Sequence, residues 1–206
     1  MTQPRKRKPA TTPRLSTDRR RALLVESAAT LLSTEGMTGT TARSVAQHAG
    51  VSPGTLTHHF ESMDELVGEA LRHASEKFTE VLTRRVARST SALTRLRLVL
   101  RLVVPAKTEA RMQWRLWFQF WSRAVFNPTL ARLNAQRYTA WRGLLQEVIA
   151  DGVKRKEFRQ VDARAEASLL SALTDGLCLQ VALGDPTGSP ANAYRQLDAF
   201  IESRLR

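Results

Sequence analysis

Thr41 to Phe60 constrains the fold more than any other part of the chain. It reads Thr-Ala-Arg-Ser-Val-Ala-Gln-His-Ala-Gly-Val-Ser-Pro-Gly-Thr-Leu-Thr-His-His-Phe. Val45, Ala46 and Ala49 give a short helix one apolar face, and the small Ala46 lets a second helix cross closely. Gly50 falls where a tight turn needs a residue tolerant of positive φ. Val51 plugs the turn. Ser52 is placed to cap a second helix, and Pro53 at its first position gives up an N–H that would lack a helical partner anyway. Leu56 and Phe60, four apart, anchor that helix inward. A lone Ala-x-x-x-Gly would fit any helical corner, but here every position falls in register for a helix-turn-helix. Ser52, Thr55, Thr57, His58 and His59 face outward. They are short polar groups suited to the base edges and phosphates of double-stranded DNA.

The rest of the chain predicts an all-α protein of about nine helices with no strand. Residues 1–15 lack apolar periodicity and read as a disordered basic tail carrying Arg5, Lys6, Arg7, Lys8 and Arg14. Such a tail enters the minor groove, lies along phosphates or stays free in solvent. Residues 16–62 read as the DNA-binding domain and 63–206 as a regulatory and dimerisation domain. The first helix, Thr17 to Glu35, is striped by Leu24, Ala28, Leu31 and Leu32, with Gly36 as its left-handed terminator. Ser62 and Glu65 form a capping box for a long helix from Met63 to about Ser89. Further helices are expected over 91–104, 107–125, 129–156, 163–183 and 191–205. Pro105, Asn127-Pro128 and the loop 184–190 separate them.

Composition narrows the function. The formal net charge is +13, which favours a polyanionic partner. Residues 1–68, however, carry only nine Lys+Arg against six Asp+Glu. Most of the excess therefore lies outside the reading head, at positions such as Arg84, Arg85 and Arg88, and reads as solvated surface. The single cysteine, Cys178, allows no intrachain disulfide. No run of about 18 apolar residues suggests a membrane span, and a cytoplasmic, nucleoid-associated protein is expected. Metal-ligand spacings, phosphate loops and nucleophile–base pairs are lacking, so no metal, cofactor or catalytic residue is expected and the chain does not read as an enzyme.

Residues 17–77 resemble the TetR family of regulators. The resemblance rests on Ala28-Ala29, Gly36, Thr41-x-x-x-Val45-Ala46, Ala49-Gly50-Val51-Ser52-x-Gly54-Thr55-Leu56, His59-Phe60 and Asp64-Glu65-Leu66. It implies an all-helical dimer whose C-terminal body binds a small molecule that lowers operator affinity. It also implies base and phosphate contacts from Thr41 and Arg43 on the first short helix, and from Thr55, Thr57, His58 and His59 on the second. Thr57 and Met63 stand where the family usually has a tyrosine and a lysine that touch phosphates. The tail and Arg19 to Arg21 are candidate substitutes.

The body resembles the choline-responsive, BetI-like repressors of that family. The matching residues are Trp114-x-x-Trp117-Phe118-x-x-Trp121, Asn127-Pro128-x-Leu130, Tyr138, Trp141-Arg142 and Asp175-Gly176-Leu177-x-Leu179. Choline itself is not carried over as the ligand. Trp114, Trp117, Phe118 and Trp121 share a helical face that reads either as core or as a pocket wall. With Trp141, and Asp175 as the nearby carboxylate, such a wall suits a cationic or aromatic effector. The alternative for Asp175 is a hydrogen bond or an ion pair with Arg142 or a similar residue, and Glu109 is a weaker carboxylate candidate. Leu169, Leu170, Leu173, Leu177, Val181, Leu197, Phe200 and Ile201 exceed what one small body buries, which predicts a homodimer through the last two helices. Two functions compete: a repressor released by an effector, and a DNA-binding architectural or division-linked dimer without one. A body cavity of roughly 300–1,000 Å³ would favour the first.

Overall fold

The computed structural model describes residues 16–86 and 91–206, so the basic tail lies outside the described residues. All regular structure among them is helical. The helices are α1 (Thr17–Thr34), α2 (Gly36–Gly39), α3 (Ala42–His48), α4 (Pro53–His59), α5 (Met63–Val86), α6 (Ala92–Val103), α7 (Thr108–Ala124), α8 (Pro128–Lys154), α9 (Ala163–Leu183) and α10 (Pro190–Phe200). Ile201–Leu205 continue α10 in one wider turn.

Local chemistry sets the boundaries. The Ser16 hydroxyl accepts from the Arg19 N–H at the start of α1. Gly36, at φ +73°, ends that helix and lets the short turn α2 follow. Asn127 Oδ1 accepts the Thr129 and Leu130 N–H groups, with Pro128 at the first position of α8. Asp162 and Ser189 cap α9 and α10 in the same way. Ser62 accepts the Glu65 N–H at 3.1 Å, while the Glu65 carboxylate bonds the Glu61 N–H one residue before the expected cap.

Two apolar clusters form. In the first, Leu24, Ala28 and Leu32 of α1 meet Val45, Leu56, Phe60 and the early α5 residues Leu66, Val67, Ala70 and Leu71. Leu116, Trp117 and Phe120 of α7 enter the same cluster. The second joins α6, α8, α9 and α10 through Leu96, Leu100, Leu145, Ile149, Leu170, Leu177, Leu197 and Ile201. Helix α7 contributes to both, because Trp114 belongs to the second.

The body corrects one expectation. Leu170, Leu177, Leu197 and Ile201 are at most 5% exposed within one protomer, so they complete its own core and are not available to a partner. The apolar surface left on α9 is Leu169, Leu179 and Leu183, at 49%, 40% and 74% exposure. Ala172 and Gly176 are exposed between them. Helix α9 is long and apolar enough, by length and composition only, to cross a membrane, although Glu166 and Asp175 interrupt its apolar run. Its apolarity has a use here: one side packs on α8 and α10, and buried Glu166 forms a two-pronged bond with Arg204.

Candidate DNA-reading surface and effector pocket

The reading head is built as the sequence predicts, with one change at its cap. Thr41 and Ser44 cap α3 reciprocally: each side-chain oxygen accepts the other's backbone N–H, at 3.1 and 2.9 Å. Gly50 adopts φ +68°, and the Val51 N–H reaches back to the Ala46 carbonyl. Ser52 occupies the N-cap of α4, yet its side chain makes no cap bond. Its Oγ lies 3.0 Å from Thr55 Oγ1 instead, so two hydroxyls expected to face DNA are paired on one face. Thr57 donates to the Gly54 carbonyl at 3.1 Å. Thr41, Arg43, Ser52, Thr57 and His58 are exposed, and Thr55 and His59 half-buried. The His58 and His59 rings meet edge to face. Partial burial, then the charges of His58, Arg20 and Arg21, lower the His59 pKa, which favours a neutral imidazole that can donate and accept.

The expected arginine substitutes separate. Arg21 is committed to the fold: it bonds Glu69 at 2.7 Å, reaches Glu65, and lies 4.7 Å over the Phe60 ring. Arg19 and Arg20 make no ion pair among the described residues and can turn toward a phosphate backbone. Met63 is half-buried against the N-terminal core.

A cavity of about 130 Å³ opens between α5, α6, α7, α8 and α9. It is smaller than the range expected from sequence. Of the predicted ligand residues, Trp114, Trp117, Trp141 and Asp175 line it. Phe118 and Trp121 do not. They pack on each other and on Trp114 at 5.5–5.9 Å, and Trp121 donates to Asn134. Asp175 Oδ2 accepts the Tyr138 hydroxyl at 2.7 Å. It makes no ion pair with Arg142 among the described residues. Burial raises the Asp175 pKa, opposed by the Tyr138 bond and by the charges of Arg137 and Arg142.

The residue that sequence reasoning missed is Arg137. Its guanidinium lies 4.1 Å over Trp117 and 4.2 Å over Tyr138. Burial lowers its pKa. The signal was available: Leu130, Arg137, Trp141, Leu145 and Val148 lie on one stripe of α8, and Arg137 is the charge that interrupts it.

Comparison with known proteins places this geometry. The family description "BetI-type transcriptional repressor, C-terminal" matches residues 92–206, and "Bacterial regulatory proteins, tetR family" matches 24–70. The chain belongs to the TetR family, with a BetI-type C-terminal domain. The HTH-type transcriptional regulator BetI of Paraburkholderia phymatum is 32% identical over 188 residues, covering 90% of this chain and 93% of the relative. The same-named protein of Burkholderia mallei is 35% identical at the same coverage. Among solved structures, a transcriptional regulator from Saccharomonospora viridis in complex with choline superposes with a TM-score of 0.85 at 29% identity, covering 91% of this chain and 98% of the other. A regulator from Pseudomonas aeruginosa PAO1 gives 0.76 at 27%, covering 92% and 91%. This TetR-family chain is thus a DNA-binding transcriptional regulator with a DNA-binding N-terminal and a ligand-binding C-terminal domain.

Arg43 gives the DNA-reading surface its sharpest test. It stands exposed at the start of α3, and arginine matches the two acceptors of guanine. Arg43→Ala is expected to weaken operator binding by about 1–3 kcal/mol and to relax preference at one base position. Binding to operator and scrambled DNA across a salt series checks this. Equal losses on both would make Arg43 a phosphate contact.

Proposed function

We propose that this TetR-family protein is a repressor that leaves its operator when a small effector enters the cavity beside Asp175. The observation that carries the reading is the joint lining of one cavity by Trp114, Trp117, Trp141 and a half-buried carboxylate. Aromatic faces and a carboxylate suit an ammonium group. The choline bound by the Saccharomonospora viridis relative is such a cation. The size is consistent with a compact molecule, since a cavity near ~150 Å³ admits benzene.

Helix α7 connects this cavity with the reading head. Its inner face supplies Trp114 and Trp117 to the wall. Its other side holds the DNA-binding module: Gln119 Oε1 accepts the Met37 N–H at 3.2 Å, and Arg123 pairs with Asp64 in the first turn of α5. Asn127, just beyond α7, donates to the same carboxylate at 3.0 Å. An effector that shifts α7 therefore pulls on α2 and on the start of α5, which brackets the reading helices α3 and α4. Two half-sites related by two-fold symmetry follow from the dimeric habit of the family.

The test pairs an operator selected from random DNA with a panel of small ammonium compounds. Effective compounds should release the wild-type protein and fail to release Asp175→Asn, which still binds the operator. Release that is indifferent to Asp175 would place the effector elsewhere. Asp175 also fixes a stability trend. Its folded pKa is raised, so its favourable contribution is full below its unfolded pKa and is lost as pH rises through the folded value. Thermal unfolding across pH should show a shallower decline in Asp175→Asn.

A further inference from the structure

The cavity has polar demands that a simple cation leaves unmet. Arg137 Nε and Nη2 and Gln113 Nε2 are buried and lack a hydrogen-bond partner. Both residues line the cavity. All three atoms are donors. Leaving a buried donor unpaired forfeits its hydration without compensation, and the penalty is larger for a charged group. The guanidinium lies over the Trp117 and Tyr138 rings, whose faces balance part of its positive charge, while Nε and Nη2 stay unbonded. On the same cavity wall the Tyr138 hydroxyl occupies only Oδ2 of Asp175. The wall thus carries both unpaired donors and a carboxylate oxygen.

We propose that the effector is an ammonium–carboxylate zwitterion, its carboxylate held by Arg137 and Gln113 and its ammonium by Asp175 and the tryptophan wall. This rests on the effector-pocket reading above and adds a second pole to it. Arg137 and Asp175 cancel in charge, so a net-neutral ligand enters without leaving either buried charge in excess. A lone cation satisfies Asp175 and strands the donors, while a lone anion satisfies the donors and faces Asp175. A zwitterion whose poles lie a few bonds apart meets both within the space available.

Three near-isosteric probes separate these cases by calorimetry: trimethylglycine, choline, and 3,3-dimethylbutanoate, in which carbon replaces the ammonium nitrogen. Trimethylglycine should bind the full-length dimer roughly tenfold to a hundredfold tighter than choline, the range of a charge-assisted hydrogen bond. Arg137→Met and Gln113→Leu, which keep the side-chain volume, should each shrink that preference and leave choline binding in place. Gln113→Glu should abolish trimethylglycine binding, because it turns a donor into a facing carboxylate. Asp175→Asn should weaken both ammonium probes and spare 3,3-dimethylbutanoate. Wild-type protein that binds choline as tightly as trimethylglycine, with Asp175 dependence, would overturn the inference and leave the effector pocket standing. A trimethylglycine preference unchanged in Arg137→Met and Gln113→Leu would also overturn it. Binding of none of the three overturns it outright, and operator release by other compounds then decides the pocket reading separately.

Discussion

Leu169→Glu combined with Leu179→Glu is expected to convert the protein to a folded monomer and to weaken operator binding at least ~100-fold, because tethering two half-site readers raises apparent affinity by roughly 10²–10⁴. Both leucines are exposed on α9, as are Ala172 and Gly176 between them. A Cβ built on Gly176 meets nothing in its own protomer. The stripe therefore has room for a close helix from a second copy, and small residues between leucines allow that approach. Two glutamates facing their symmetry mates place four charges on an apolar seam. Sedimentation reads the mass, circular dichroism the retained helix, and anisotropy with operator DNA the affinity. A dimer that survives both charges puts the interface elsewhere. Substituting Leu177 would be a poor test, because that side chain is 5% exposed inside its own protomer and its loss would damage the fold.

Phe120→Ala carries the second large effect. The ring is 1% exposed and sits edge to face on Trp117 at 6.4 Å. It belongs to the N-terminal cluster although it comes from α7. Truncating a buried phenylalanine costs about 3–5 kcal/mol, part of it lost transfer energy and part the cavity left behind. Denaturant unfolding should show that loss. The functional signature is more specific: compounds that bind Phe120→Ala should release its operator less well than they release the wild type's, because the gap lies between cavity and reading head. A destabilised variant with undiminished release would show that the signal bypasses this contact.

The reading head was legible because its signals are local. Gly50, Pro53, Leu56 and Phe60 each act on their own turn, and the backbone angles and burial follow directly. Helix boundaries were legible for the same reason at Gly36 and Asn127-Pro128. The cavity was only half legible. Its tryptophans and Asp175 stand out in sequence, but Phe118 and Trp121 share the same stripe and face elsewhere, a choice made by how α7 rotates against α8. Arg137 was missed because an arginine on a long amphipathic helix reads as surface. Only the approach of Trp117 from another helix turns it inward. The proposed dimer face was legible only in part: Leu177 and Leu179 lie two residues apart in a run of apolar residues. Which of them enters the core and which stays exposed depends on where α8 and α10 lie.

The two faces of α7 impose one further relation. If a molecule in the cavity and DNA on α3 and α4 prefer different positions of this one helix, each ligand must weaken the other by the same factor. Protein resting on its operator then holds effector more loosely than protein free in solution does. Dose–response curves would accordingly shift with operator copy number. A cell carrying many operators would need more effector to clear the last of them, and the size of that shift would measure the coupling free energy between the two sites.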